Sequence, residues 1–301
     1  MNNTFKLKIT EDNVNLRLDV AISKLLPSEM SRSFLKNHLV DLSVNNKKEK
    51  LSYKCKLNDE IVIKINLENF DNIKPEKIDL NIVYEDNNYI VINKKYNMVV
   101  HPAKGNLHGT LVNALLGMKK DLYKSDDKLR LGIVHRLDKE TSGLIIVAKN
   151  KKSHDYLTSL FKKRKIIKKY HAITHGFFAP SYLLIENNIG RHPVNRKKMA
   201  VLNDGGKQSI TIIEDVKHFN DISYLDISLY TGRTHQIRVH LTHYGFPIIG
   251  DLIYSRRGVA DAVPLCLAAY KMTFFDIFSN KELDFEIEDP PHMLDLLKKQ
   301  I

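Results

Sequence analysis

Two apolar runs, Gly132-Ile133-Val134 and Leu144-Ile145-Ile146-Val147-Ala148, bracket the charged, glycine-closed segment His135–Gly143. β-Branched residues crowd both runs, so the pattern predicts two strands flanking a turn, with Asp138 presented between Arg136 and Lys139. Upstream, residues 1–10 alternate and predict a strand. Arg17–Pro27 has apolar residues at helical spacing and a proline stop. Ser31–Val40 predicts a second helix with Ser31 as its cap. Val44–Lys47 reads as a strand entering a turn, and Cys55–Ile65 as a strand. Polar residues around Pro75 mark a break, giving a small unit (1–70), a linker (71–77) and a larger unit (78–301).

Within the larger unit, Ile82–Lys94 predicts two strands joined by an Asn-rich turn, and Thr110–Leu116 a helix. Ser153 is expected to cap a helix carrying Tyr156, Leu157, Leu160 and Phe161. A strand follows near Tyr170. Thr234 is expected to cap a helix that ends at Gly245 and turns Ile237 and Leu241 to the core. Met272–Phe275 and Leu283–Ile287 predict closing strands. The mixture of elements gives an α+β class.

Composition narrows the partners. The 301 residues include 47 Lys and Arg against 35 Asp and Glu, a net charge of +12. Such a surplus points to a polyanion, nucleic acid or an anionic membrane surface. No apolar run approaches the ~20 residues of a membrane span, and the first residues lack the apolar core of a secretory signal. Cys55 and Cys266 are far apart, as expected of reduced cytoplasmic thiols. Nucleic acid is therefore the expected partner class. Basic runs at Lys162–Lys169 and Arg191–Lys198, with Arg32, Lys36 and His38 on the second predicted helix, suit a phosphate track.

Four residues invite chemistry. Asp138, flanked by cations, is expected to be ionised and available as a nucleophile, although spacing alone favours an exposed turn aspartate. His235, His240 and His243 suggest zinc, but no acidic or cysteine ligand accompanies them, so no metal is expected.

The N-terminal residues Arg17-Leu18-Asp19, Ser31-Arg32-Ser33, Val44-Asn45 and Leu57-Asn58-Asp59 resemble the S-four-type RNA-binding domain. Asp41-Leu42-Ser43 stands where that family has a glycine before its valine strand. Further on, His135-Arg136-Leu137-Asp138-Lys139-Glu140-Thr141-Ser142-Gly143 resembles the signature of the RluA family of RNA pseudouridine synthases. Asn93-Lys94, Val100-His101-Pro102, Gly109–Leu115, Lys169-Tyr170, Gly232–His240 and Gly250-Asp251 follow in that family's order.

The resemblance implies a small RNA-binding domain followed by a catalytic domain with a long mixed, mainly antiparallel sheet flanked by helices. It implies an isomerase that detaches uracil from C1′, turns it and rejoins it through C5. By the same resemblance Asp138 is the catalytic carboxylate, Arg233 the arginine paired with it, and Tyr170 the residue that stacks on the base. Tyr170 is also the side chain suited to proton transfer at C5. Arg136 fills the space left by the flipped nucleotide, and Ile237 and Lys271 line the site. His135, Arg32 and Lys36 are expected to contact RNA.

The expected partner is structured RNA, foremost large-subunit ribosomal RNA with transfer RNA as the second candidate, handled by a cytoplasmic monomer without cofactor. Covalent addition and elimination both remain open for the carboxylate. A non-catalytic RNA-binding or ribosome-assembly protein is the rival reading. A nucleosidase that releases the base is a third.

Overall fold

A computed structural model describes residues 2–26, 35, 39–66, 73–102, 106–118, 122–123, 131–195, 197–255 and 263–300. The N-terminal segment contains β1 (Asn2–Lys8), α1 (Leu18–Leu25), β2 (Leu39–Val44), β3 (Lys47–Lys48) and β4 (Glu60–Asn66). Their antiparallel sheet runs β1-β4-β2-β3. In β4, Ile61, Ile63 and Ile65 are buried, the period-two pattern of a strand with one face on a core. They meet Leu18, Ala21 and Ile22 of α1.

Asn45 and Asn46, both at positive φ (49° and 64°), turn β2 into β3 as a two-residue hairpin requires. Leu39 and Val40, expected at the end of a helix, belong to β2 instead. The rest of that expected helix, including Arg32 and Lys36, lies outside the described residues apart from the buried Leu35.

From residue 81 the chain builds a second sheet. Its strands are β5 (Asn81–Glu85), β6 (Tyr89–Lys94), β7 (Ser142–Ala148), β8 (Ile167–His175), β9 (Leu183–Arg191), β10 (Met199–Leu202), β11 (Lys207–Phe219), β12 (Ile222–Leu229), β13 (Leu267–Asp276) and β14 (Lys281–Glu286). The order is β10-β9-β11-β12-β8-β13-β7-β6-β5, with β14 beside β13. The β13–β7 pair is parallel and the other described pairs are antiparallel. Helices α2 (Leu111–Gly117), α3 (Lys151–Lys162), α4 (Gln236–His243) and α5 (Pro291–Lys298) accompany it. None of the described helices is long and apolar enough to cross a membrane.

β7 is buried along its whole length. Ile145 and Val147 pack toward Leu111, Val112 and Leu115 of α2, whereas Leu144, Ile146 and Ala148 pack toward Leu157 and Leu160 of α3. A strand covered on both faces reads as a continuous apolar run, which explains the second apolar block in the sequence. The first block is not a strand. Gly132 (φ +74°) accepts from Ala148 N at 2.9 Å, and only Ile133 forms a bridge, to Val147.

The helix caps also differ from expectation. Asn150 caps α3, with Ser153 as its reciprocal partner three residues on. The residue at the start of α4 is His235, not Thr234.

At the entry to β7, Gly143 (φ +113°) lies against β13. A Cβ there would stand 2.3 Å from the Ala269 carbonyl oxygen and 2.5 Å from its nitrogen. Gly143→Ala is expected to lower stability by about 2–3 kcal/mol, from backbone strain and the collision together. An unchanged denaturation midpoint in that variant would show that the strands can part at no cost.

Candidate active site

The turn carrying Asp138 is fixed on three sides. Leu137 is 5% exposed and joins the core around β8, β12 and β13. Thr141 N donates to the Asp138 carbonyl at 3.2 Å. Below, the fully buried Lys94 donates to the carbonyls of Lys95 (3.0 Å), Met98 (2.9 Å) and Lys139 (3.3 Å). An ammonium has three protons to place, so this lysine ties the loop after β6 to the turn. Burial pushes Lys94 down to about 8, while Asp138 and Glu140 act in the opposite direction.

Asp138 lines a cavity of ≈ 510 Å³. Its walls come from the turn, from Phe161, Lys162 and Arg164 after α3, from Lys168 and Tyr170 on β8, and from residues 229–238. Arg136, Lys162, Arg164, Lys168, Arg233 and Arg238 stand among the lining residues, against the single carboxylate of Asp138. Tyr170 is 8% exposed. Burial, and then the charge of Asp138, raise its pKa, so the phenol keeps its proton at neutral pH. Ile237 is 4% exposed and contributes an apolar wall. Burial also lowers Lys168 to about 8, with Arg164 adding to the effect.

Three sequence expectations are corrected here. The ion pair between Arg233 and Asp138 is not formed. Gln236 explains why: its amide donates to Ile210 O (3.0 Å) and Thr211 Oγ1 (2.9 Å), and its oxygen accepts from Arg233 N (3.0 Å). This pins the loop to β11, where Arg233 Nε donates to the Gln208 carbonyl at 3.2 Å. Among the described residues, it is His235 that faces Asp138, with Nε2 4.0 Å from Oδ2.

His135 lines the cavity but offers no cation. Its Nε2 accepts from Ile146 N at 2.9 Å, its ring stacks on Phe161 (4.6 Å, 24°), and burial followed by Lys168 pushes it down to about 3. Lys271 lies outside the cavity lining and pairs with Asp284 (3.0 Å) and Glu286 (2.7 Å). A register shift in β13 between Ala268 and Lys271 breaks the alternation that would have put Lys271 on the face of Leu267.

Residues without an expected role complete the site. Arg238 and Asp251, both 1% exposed, form a bidentate pair (2.7 and 2.8 Å), and Arg238 reaches Glu140 at 3.4 Å. Asp251 also accepts from Ile253 N and Tyr254 N, at 3.0 Å each. Arg238 and Asp251 sit inside the motif blocks Gly232–His240 and Gly250-Asp251, which was their signal in the sequence. Lys168 and Tyr254 carried none beyond a basic run and a lone aromatic. Of the histidines that suggested zinc, His240 is 2.9 Å from Thr211 Oγ1 through Nδ1 and is pushed by burial down to about 4, and His235 faces Tyr254.

A cationic cavity built around one carboxylate, at the middle of a long mixed sheet, defines an enzyme for a polyanionic substrate. Residues 88–243 match the family described as RNA pseudouridylate synthase. The chain is 34% identical to an uncharacterized RNA pseudouridine synthase, YlyB, of Bacillus subtilis (strain 168), over 98% of both chains. It is 37% identical to the ribosomal large subunit pseudouridine synthase D of Zymomonas mobilis, over 98% of this chain and 97% of the other. Among solved structures, it is similar to human RNA pseudouridylate synthase domain containing 1. The TM-score is 0.60 at 26% identity, over 71% of this chain and 85% of the human one. The chain belongs to the RNA pseudouridylate synthase family, in its RluA-type branch, and thus to the isomerases that convert uridine to pseudouridine in RNA.

Asp251→Ala would leave the Arg238 guanidinium buried without its bidentate partner. We expect a loss of about 3–5 kcal/mol in chemical denaturation. A loss below about 1 kcal/mol would mean that water or Glu140 replaces the aspartate freely.

Proposed function

We propose that Asp138 is the carboxylate that makes and breaks the bond at C1′, and that the substrate is a structured segment of large-subunit ribosomal RNA. The observation that carries the first part is that Asp138 is the one carboxylate among the described lining of a cavity that also presents six cations and Tyr170. At ≈ 510 Å³ the cavity falls within the range of about 300–1,000 Å³ usual for small-molecule sites, which suits one everted nucleotide. In the reaction the N1–C1′ bond breaks and a C5–C1′ bond forms. A proton leaves C5 and one is taken up at N1, so the product is an isomer.

A carboxylate stabilises C1′ while the base is detached, as in retaining glycosidases, whether by addition or by assisting elimination. Tyr170, held as the phenol, serves as a stacking surface and not as a resting base, so the C5 proton leaves to water or to the Asp138 carboxylate freed when the C5–C1′ bond forms. Arg136, exposed at the cavity, takes the place of the everted base. Lys168 and Arg164 meet the neighbouring phosphates. Arg233 exchanges its exposed contact with Gln208 for Asp138 once RNA is bound.

Ribosomal RNA is supported by the names of relatives in Zymomonas mobilis and Neisseria meningitidis, each a ribosomal large subunit pseudouridine synthase D. Residues 1–70 act as the S-four-like RNA-binding domain, with Arg32 and Lys36 as its expected RNA contacts, joined through 71–77 to the catalytic domain 78–301. The protein works on ribosomal RNA in the cytoplasm.

Asp138→Asn is expected to abolish pseudouridine formation, read by mapping pseudouridine in ribosomal RNA, while RNA affinity stays within about three-fold. Full activity in that variant would sink the assignment, and free uracil among the products would favour the nucleosidase. Deleting residues 1–70 is expected to weaken binding to structured RNA more than it slows reaction on a short stem-loop. Equal binding by the truncated chain would count against the N-terminal role.

A further inference from the structure

His235 stands at an unusual backbone position, φ +56° and ψ 23°, immediately before α4. Residues other than glycine adopt this left-handed region at a cost, so an observed case invites a functional explanation. From there the imidazole bridges two groups. Its Nε2 faces Asp138 Oδ2 at 4.0 Å, and its Nδ1 is 2.8 Å from Tyr254 Oη.

The tautomer follows from the partners of Tyr254. A phenol has one proton to give. Its oxygen already accepts from Met199 N at 2.8 Å, and the arrangement that also uses its proton directs that proton at His235 Nδ1. Nδ1 is then the acceptor, and the ring hydrogen sits on Nε2, toward the carboxylate. Burial lowers the pKa of His235, outweighing the opposite pull of Asp138, and raises that of Tyr254, so both enter as neutral groups.

Tyr254 is itself fixed. Its backbone N donates to Asp251 Oδ1 at 3.0 Å, and the Arg238 and Lys198 cations lie 5.3 and 5.6 Å from its ring centroid. Met199 opens β10, directly after the basic 191–198 segment.

We propose that His235 is a positioning residue that orients Asp138 through its Nε2–H, with Tyr254 setting the tautomer that makes this possible. The proposal rests on the reading of Asp138 as the catalytic carboxylate. At 4.0 Å the contact is too long for a hydrogen bond. Contacts of this kind tighten when substrate closes a site. Before RNA binds, Arg238 is engaged by Asp251 and Glu140, and Arg233 by Gln208, so it is His235 that faces the carboxylate in the free protein.

The test uses the full-length protein, RNA carrying tritium at uridine C5, and release of that tritium as the rate. Tyr254→Phe keeps the ring and removes the proton that sets the tautomer. Its kcat is expected to fall about ten- to hundred-fold, the usual loss when a partner orienting an active-site group is removed, with KM and RNA affinity within about two-fold. His235→Gln, whose amide nitrogen falls near the position of Nε2, is expected to retain at least about five-fold more kcat than His235→Ala.

A wild-type kcat in Tyr254→Phe, or a glutamine variant no better than alanine, overturns the proposal. Should the variants fail to fold, imidazole 15N shifts of the wild-type protein decide. The Nε2–H form of His235 is expected, and the Nδ1–H form overturns the inference. Asp138→Asn separates the two levels. Activity in that variant removes the underlying reading, whereas its inactivity beside an unimpaired Tyr254→Phe removes only the role of His235.

Discussion

The buried pair between Arg238 and Asp251 holds three otherwise independent pieces of chain in one arrangement. Arg238 belongs to α4, Asp251 to the loop beyond it, and the Glu140 that Arg238 also meets to the turn carrying Asp138. An ion pair withdrawn from water contributes little net stability, because desolvation cancels much of the attraction. What it contributes is geometry. A guanidinium fork accepts a carboxylate in few orientations, and the second role of Asp251, as acceptor for Tyr254 N, carries that orientation on toward His235.

The surplus of positive charge is sorted by the same logic. Lys169 is matched by Glu214 and Asp226 on one side of β8, and Lys271 by Asp284 and Glu286. Their neighbours Lys168 and Arg164 line the cavity. Adjacent residues of a strand face opposite ways, so β8 places Lys168 and Tyr170 toward the cavity and Lys169 away from it. A basic run that looks uniform in sequence is thereby split into paired lysines and cations that line the cavity. Burial pushes Lys94 and Lys168 both down, and perturbed groups of this kind gather at functional sites.

The turn is rigid because its exit strand is. β7 is covered on both faces, and its register with β6 runs unbroken from Tyr89–Ala148 to Lys94–Gly143. Lys94, the last residue of that ladder, is also the lysine whose ammonium reaches the Lys139 carbonyl. Sheet register and placement of the Asp138 turn are one constraint.

Local pattern sufficed where structure is locally determined. The alternation of β4, the continuous apolar run of β7, the Asn-Asn hairpin and the α+β character follow from side-chain period and turn chemistry. The signature around Asp138 likewise marked the residue that lines the cavity. Partners distant in sequence were beyond local pattern. The Arg233 contact turned on Gln236 reaching β11, the face of Lys271 on a register shift within β13, and the neutrality of His135 on burial against Phe161 and Ile146. Charge, tautomer and direction depend on what lies across space, and only the packed sheet and its loops decide that.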